Sequence, residues 1–421
     1  MDTHIKHGDK TFHSPPLWRG EGEGPLELIK MKALRNYLDK IKPNFEEGGK
    51  LHALRSVFDG FETFLFVPNT TARKGVNIHD AIDSKRIMSF VVIALVPALL
   101  FGMYNVGYQH YTAAGLMDSA SFIEVFGYGF LAVLPKILVS YIVGLGIEFI
   151  IAQLKNEEIQ EGFLVSGMLI PMIVPVNCPL WILAVATAFA VIFAKEVFGG
   201  TGMNVFNVAL IARAFLFFAY PTQMSGDTVW VATESIFGLG ADLPDGFTAA
   251  TALGHAATVG VPEFSMDMVW GFIPGSIGET SVVAILLGAI LLLWSGVASW
   301  KTMLSVFVGG SVVALLFNTF GAEDNYMAMM PWYQHLVLGG FCFGAVFMAT
   351  DPVTSARTET GKFIFGFLVG AMAVIIRVLN PGYPEGMMLA ILLMNVFAPL
   401  IDYYVVQSNI NRRVKRLNTN K

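Results

Sequence analysis

The chain has 421 residues, 54% hydrophobic and only 14% charged, with a mean hydropathy of +0.60. A soluble domain is roughly a quarter charged, and a soluble core of this length could not hide so much apolar surface, so the composition suits lipid. The net charge of −5 gives no basis for nucleic-acid binding. The two distant cysteines, Cys178 and Cys342, cannot by themselves build a zinc or iron–sulfur site.

Residues 1–30 are polar and irregular and read as a disordered or mis-called extension; Met31 opens a more convincing beginning. Residues 31–86 read as a cytoplasmic segment whose first part, MKALRNYLDKIKPNF, has helical apolar spacing and a basic face. A membrane helix needs about 20 apolar residues. Spans are expected near 87–106, 126–153, 162–178, 180–197 and 206–222, forming a first half over 87–222. A polar external loop fills 223–277. A second half over 278–406 holds spans near 278–297, 301–320, 333–350, 362–380 and 386–406, and a basic tail, 407–421, follows. The fold class is therefore an all-α integral membrane protein of about ten helices. Five spans on each side of a long loop give the halves opposite topology, so two inverted five-helix repeats are expected.

Orientation follows from lysine and arginine. Of 27, only Lys136, Arg213 and Arg377 lie well inside spans. The other 24 fall in, or at the span ends bordering, segments that a ten-span chain with both termini inside places in the cytoplasm. The expected external loops, 107–125, 223–277, 321–332 and 381–385, contain none.

Charged groups in apolar stretches usually face a bundle interior or a water path. Here they are Lys136, Glu148, Lys195, Glu196, Arg213, Glu279, Asp351, Arg377 and Asp402. Internal salt bridging explains any one of them about as well as function does. Together, the carboxylates Glu148, Glu279, Asp351 and Asp402 suggest a route for a hard cation such as Na⁺ or H⁺. Two stretches break the helical pattern. KEVFGGTGMNVFN (195–207) has three glycines with Asn204 and Asn207, and reads either as a ligand-approaching turn or, more simply, as an asparagine-capped turn. IPGSIGE (273–279) reads as a half-helix break, tolerable only where buried or cavity-lining. In the external loop, DGFTAATALGHA (245–256) reads on its own as a cap followed by a short helix, with His255 at the surface.

Strings in order along the chain carry a resemblance: AKEVFGGTG (194–202), ARAFLFFAYP (212–221), IPGSIGE (273–279), HLVLGGF (335–341) with FMATDPV (347–353), NPGYPEGMMLAIL (380–392) and FAPLIDYYVV (397–406). From about Met31 onward the chain resembles the NqrB/RnfD family, most closely the B-type membrane component of Na⁺-translocating NADH:quinone oxidoreductases and in places the D-type component of Rnf complexes. The resemblance implies FMN esterified through its phosphate to a threonine in an Asp-x-x-Ser-Gly-Ala-Thr motif. Asp245, Ala250 and Thr251 match it, with Thr248 in place of Ser and Ala249 in place of Gly, so Thr251 is the implied acceptor. It also implies riboflavin at the turn bearing Gly202, Asn204 and Asn207. It implies a quinone site at a glycine pair that reads Gly144-Leu145 here, and a sodium pathway at Glu148, Glu279, Asp351 and Asp402. The implied partners are the other subunits of a six-subunit redox complex, quinone, a flavin transferase and membrane lipid. The implied location is a bacterial inner membrane. Two rival readings stay open: an Rnf-type component, and a channel or secondary transporter of similar inverted-repeat build.

Overall fold

The computed structural model describes residues 34–45, 49, 51, 54–66, 84–155, 162–244, 246–322, 324–380, 382 and 385–419. The extension 1–30 and Asp245 lie outside the described residues.

Before the bundle, residues 34–41 are helical, as the apolar spacing predicts, and a second amphipathic helix covers Arg55–Leu65. Arg35 and Lys42 both bind Glu62, which links the two helices.

Six helices are long and apolar enough to cross a membrane: α1 (Ser84–Ala113), α2 (Phe122–Lys155), α4 (Leu180–Phe198), α7 (Trp300–Phe320), α9 (Glu359–Leu379) and α10 (Met387–Thr419). Three further apolar helices are short: α3 (Phe163–Met172), α5 (Val208–Ala219) and α6 (Val282–Trp294). The remaining expected span is broken. It consists of α8 (Trp332–Val337), an interruption, then turns at Phe341–Phe343 and Gly344–Met348.

The all-α membrane fold matches the expectation, and four of the ten expected segments are short or broken helices. At 1.5 Å per residue, helices of 10 to 13 residues rise about 15–20 Å, against a hydrocarbon core of about 30 Å. The short helices continue as non-helical backbone, at 173–179 after α3, 199–207 before α5 and 271–281 before α6. Side chains cap the new helix starts: Asn207 accepts from Ala209 N and Leu210 N, and Ser281 from Ala284 N. The breaks before α5 and α6 coincide with the two stretches, 195–207 and 273–279, that interrupt the helical pattern in the sequence; the early end of α3 lies within an apolar run. No strand occurs among the described residues, only an isolated bridge between Ile236 and Leu239.

Without a hydrophobic force between helices in lipid, close backbone approach at small residues supplies the packing. A Cβ on Gly370 of α9 would collide with the Val306 carbonyl of α7, and one on Gly129 of α2 with the Met103 carbonyl of α1. Loops expected outside gather at one end of the bundle. Asn325 Nδ2 donates to Val378 O, Gln334 Nε2 to Pro262 O, and His110 and Tyr128 hold residues 232–241. At the other end, Lys155 meets Glu196, Lys301 meets Glu359, and Asp402 binds the start of α9.

Candidate functional sites

Two cavities, toward opposite ends of the bundle, bring the sequence-selected residues together.

The first lies at the end carrying the long loop. Thr251 is the cap of a short helix, Ala252–Thr258, and its Oγ1 accepts from Gly254 N at 3.0 Å. Among the described residues its own hydroxyl proton has no acceptor. Small side chains flank it, at Ala249, Ala250 and Ala252. Thr248 is exposed and Ala250 half-buried. Thr251 lines a cavity of about 30 Å³ with Pro274, Ser276, Glu279, Gly339 and Glu385. That is room for about one water.

Behind this cavity lies a buried charge cluster. Arg213 of α5 binds the Ile173 carbonyl and Glu385, and reaches Ser276 Oγ at 3.3 Å and Glu279 at 3.5 Å. Arg377 of α9 is fully buried. It donates to the carbonyls of His335, Leu338 (2.9 Å) and Glu385 (2.9 Å), and lies 5.7 Å over the Phe341 ring. The physical logic is the same for both. A half-helix ends inside the protein with carbonyls that no further turn satisfies, and carries partial negative charge there. A guanidinium answers both needs with several donors in one plane. Arg213 serves the end of α3, and Arg377 the end of α8.

The second cavity encloses about 80 Å³ at the opposite end. Its polar lining includes Lys195, Asn204, Asn207 and Asp351, and its apolar walls include Leu169, Leu292 and Phe347. Asn207 does two jobs. Its Oδ1 caps α5, and its Nδ2 donates to Asp351 Oδ2 at 3.3 Å. Asp351 also accepts from Val353 N and Thr354 Oγ1, each at 3.0 Å. Asn204 Nδ2 is used locally, on the Phe206 carbonyl at 2.9 Å. Lys195 pairs with buried Glu148. Gly199, Gly200 and Gly202 all have positive φ (+115°, +96°, +89°), which lets the turn fold back tightly.

The remaining candidates separate. Gly144 packs against the Phe163 ring, where a Cβ would collide, while Leu145 is only half-buried. Asp402 accepts from Arg357 N at 2.7 Å and from Thr358 N at 3.0 Å, fixing the start of α9. His255 is exposed, its Nδ1 3.1 Å from the Gly260 carbonyl. Both cysteines are buried and free.

Sequence reasoning missed how the external loop is held. His110 Nδ1 lies 2.7 Å from Ala232 O, and Ala241 N donates to its Nε2 at 3.3 Å. Tyr128 donates to Glu234 O at 2.6 Å and stacks on His110 with centroids 4.0 Å apart. Gly240 N donates to Tyr111 at 3.0 Å. Within the loop, Ser235 N donates to Asp242 at 2.7 Å, which holds that carboxyl below its ordinary value. Apolar surroundings in the sequence gave no signal for these contacts beyond the aromatic residues themselves.

The profile of the NQR2, RnfD, RnfE family matches residues 71–411. The chain belongs to that family. The B component of the Na(+)-translocating NADH-quinone reductase of Chromohalobacter salexigens is 46% identical over 407 residues, covering 91% of this chain and 96% of the relative. The proteins of the same name from Pseudoalteromonas atlantica and Pseudomonas aeruginosa are each 43% identical, covering 91% of this chain and 99% of their own length. Within the NQR2, RnfD, RnfE family, both cavities described here fall inside the matched region.

Proposed function

We propose that the chain is the membrane component of a Na⁺-pumping NADH:quinone oxidoreductase, lying in a bacterial inner membrane with both termini cytoplasmic. It carries FMN as a phosphoester on Thr251 and riboflavin beside Asn204 and Asn207. The two flavins, when bound, supply the electron relay toward quinone. The observation that carries this reading is the shared lining of Thr251 and Glu279: the implied flavin acceptor and an implied cation carboxylate face one cavity.

The residues fit these groups to different degrees. At Thr251, the hydroxyl is half-buried, its proton uncommitted, and small neighbours leave room for a bulky donor. Asp245 and Thr248 complete the motif that a flavin transferase would read. In the second cavity, apolar faces at Leu169, Leu292 and Phe347 with a polar rim at Asn204 and Asp351 suit a flat heteroaromatic ring. About 80 Å³ holds two or three waters. A flavin ring is larger than that, so the lining side chains would have to part to admit one. Gly202, with φ of +89°, keeps the adjacent turn folded back beside it.

In this reading Na⁺ moves past Glu148, Glu279, Asp351 and Asp402, with Gly144 and Leu145 near quinone. Each carboxylate already has protein partners, so a passing ion must compete with Lys195, Arg213, Asn207 or the α9 start respectively. Coupling then requires that redox state bias those competitions. Two inverted halves also belong to this proposal; both third spans, α3 and α8, are ones that end early.

The test is Thr251→Val in the intact complex. The variant is expected to assemble and to lose flavin fluorescence from this polypeptide in a denaturing gel, and the FMN mass from its Thr251 peptide. Unchanged fluorescence on the polypeptide would refute the assignment. A transporter reading draws on the broken helices and buried carboxylates. It predicts a colourless protein with no bound flavin. Na⁺-sensitive quinone reduction by the assembled complex separates this reading from a ferredoxin-linked, Rnf-type component.

A further inference from the structure

A groove of about 430 Å³ runs between α9 and α10 at the end of the bundle away from Thr251. Thr360 and Ile364 line it from α9, and Ile401, Tyr404, Ser408 and Arg412 from α10. The spacings, four residues on one helix and three to four on the other, put each set on a single face. The lining changes character along the groove. Ile364, Thr360 and Ile401 lie toward the bundle, since Asp402 bonds the chain just before Thr360; Ser408 and Arg412 lie toward the free end. That gradient matches an amphiphile whose head points out of the membrane.

Length and charge support the same reading. α10 has 33 residues, about 50 Å, against a hydrocarbon core of about 30 Å, so its last turns project beyond the core. From Tyr403 to Thr419 it has no carboxylate, and it carries Arg412, Arg413, Lys415 and Arg416. Nearby acids are already engaged. Asp402 accepts from Arg357 N, Thr358 N and Thr358 Oγ1, and Glu359 binds Lys301 and Lys362. Arg412 has no carboxylate within ion-pair distance among the described residues.

We propose that this groove binds an anionic phospholipid. Arg412 would hold the phosphate, since a guanidinium fork matches phosphate oxygens. Ser408 offers a hydroxyl one turn before Arg412, Tyr404 sits at the interface, Thr360 lies deeper beside Ile401, and Ile364 and Ile401 take an acyl chain. The neighbouring cations Arg413, Lys415 and Arg416 add a field that favours net negative headgroups over zwitterionic ones.

The test uses the assembled complex, equilibrated with equal phosphatidylglycerol and phosphatidylcholine, with retained lipid counted by native mass spectrometry. The parent is expected to retain phosphatidylglycerol about tenfold over phosphatidylcholine. Arg412→Gln should remove most of that preference. Arg413→Gln, one residue off the groove, should change it less than twofold. Ser408→Phe fills the groove without altering charge and should match Arg412→Gln. Equal losses from Arg412→Gln and Arg413→Gln would overturn the proposal, because a diffuse field would then suffice. So would an absence of headgroup preference in the parent. A photocrosslinker at Ile364 should label lipid; labelling of another protein of the complex instead would mean that protein covers the groove.

Discussion

Replacing Arg377 with Met tests the idea that guanidinium groups stabilise the broken helices. The substitution keeps the length and apolar stem of the side chain but removes donors to the carbonyls of His335, Leu338 and Glu385. Hydrogen bonds to a charged group contribute about 1.5–3 kcal/mol each. Their simple sum overstates the effect, because one group makes all three. Each carbonyl left unsatisfied costs about 1–3 kcal/mol, and loss of the buried charge offsets part of that, so a net cost of about 3 kcal/mol is the better figure here. Arg377 is fully buried, so solvent screening does not reduce it. The loss should appear as a fall of about 5 °C in the midpoint of heat-induced aggregation, followed by size-exclusion fluorescence of the complex. Arg377→Lys supplies the control. A lysine keeps the charge but cannot direct donors to three carbonyls at once, so it should recover less than half of the loss. A midpoint within about 1 °C of the parent for Arg377→Met would refute the capping role. Full recovery by lysine would show that charge alone matters.

Further outcomes follow from the same geometry. Tyr128→Phe removes the bond to Glu234 O, worth about 1 kcal/mol, and should speed proteolysis within 228–241 while leaving helix content unchanged. Gly370→Ala drives a methyl into the Val306 carbonyl and should cost about 1–3 kcal/mol. Gly146→Ala on α2 meets nothing within 4 Å and should be neutral or gain about 0.5–1 kcal/mol, read by the same thermal assay. Asp242 has a folded-state pKa below its ordinary 3.8 because Ser235 N donates to it. Its contribution to loop order is therefore complete above about pH 4 and is lost as pH falls through the lower folded value. Loop proteolysis by an acid-tolerant protease should stay constant from pH 7 to 5 and rise only below about pH 4. Asn207→Ala removes both the α5 cap and the donor to Asp351, and should cost about 1–2 kcal/mol, whereas Asn207→Ser should retain much of the capping.

Much of the architecture was legible in the residues. Apolar runs located all ten segments, because lipid demands an apolar composition over the width of the core whether or not the helix is continuous. Asn207 was readable as a cap from Gly-Asn punctuation before an apolar run, and it is one. Arg213 and Arg377 stood out simply by being charged within apolar helices. Their purpose did not. The sequence offered internal pairing or a water path; tertiary structure showed half-helix ends whose carbonyls needed donors. Glu385, in a Pro/Gly-rich turn, had no signal linking it to Arg213, 172 residues away. The same holds for Asn207 with Asp351 and for Thr251 with Glu279. The sequence by itself determined that the chain lives in lipid, roughly where it crosses, and which residues are chemically out of place there. Those properties depend on local composition. Tertiary structure decided that α3 and α8 stop short and which distant polar groups meet, because a buried carbonyl or carboxylate takes whichever partner the packing brings within about 3 Å.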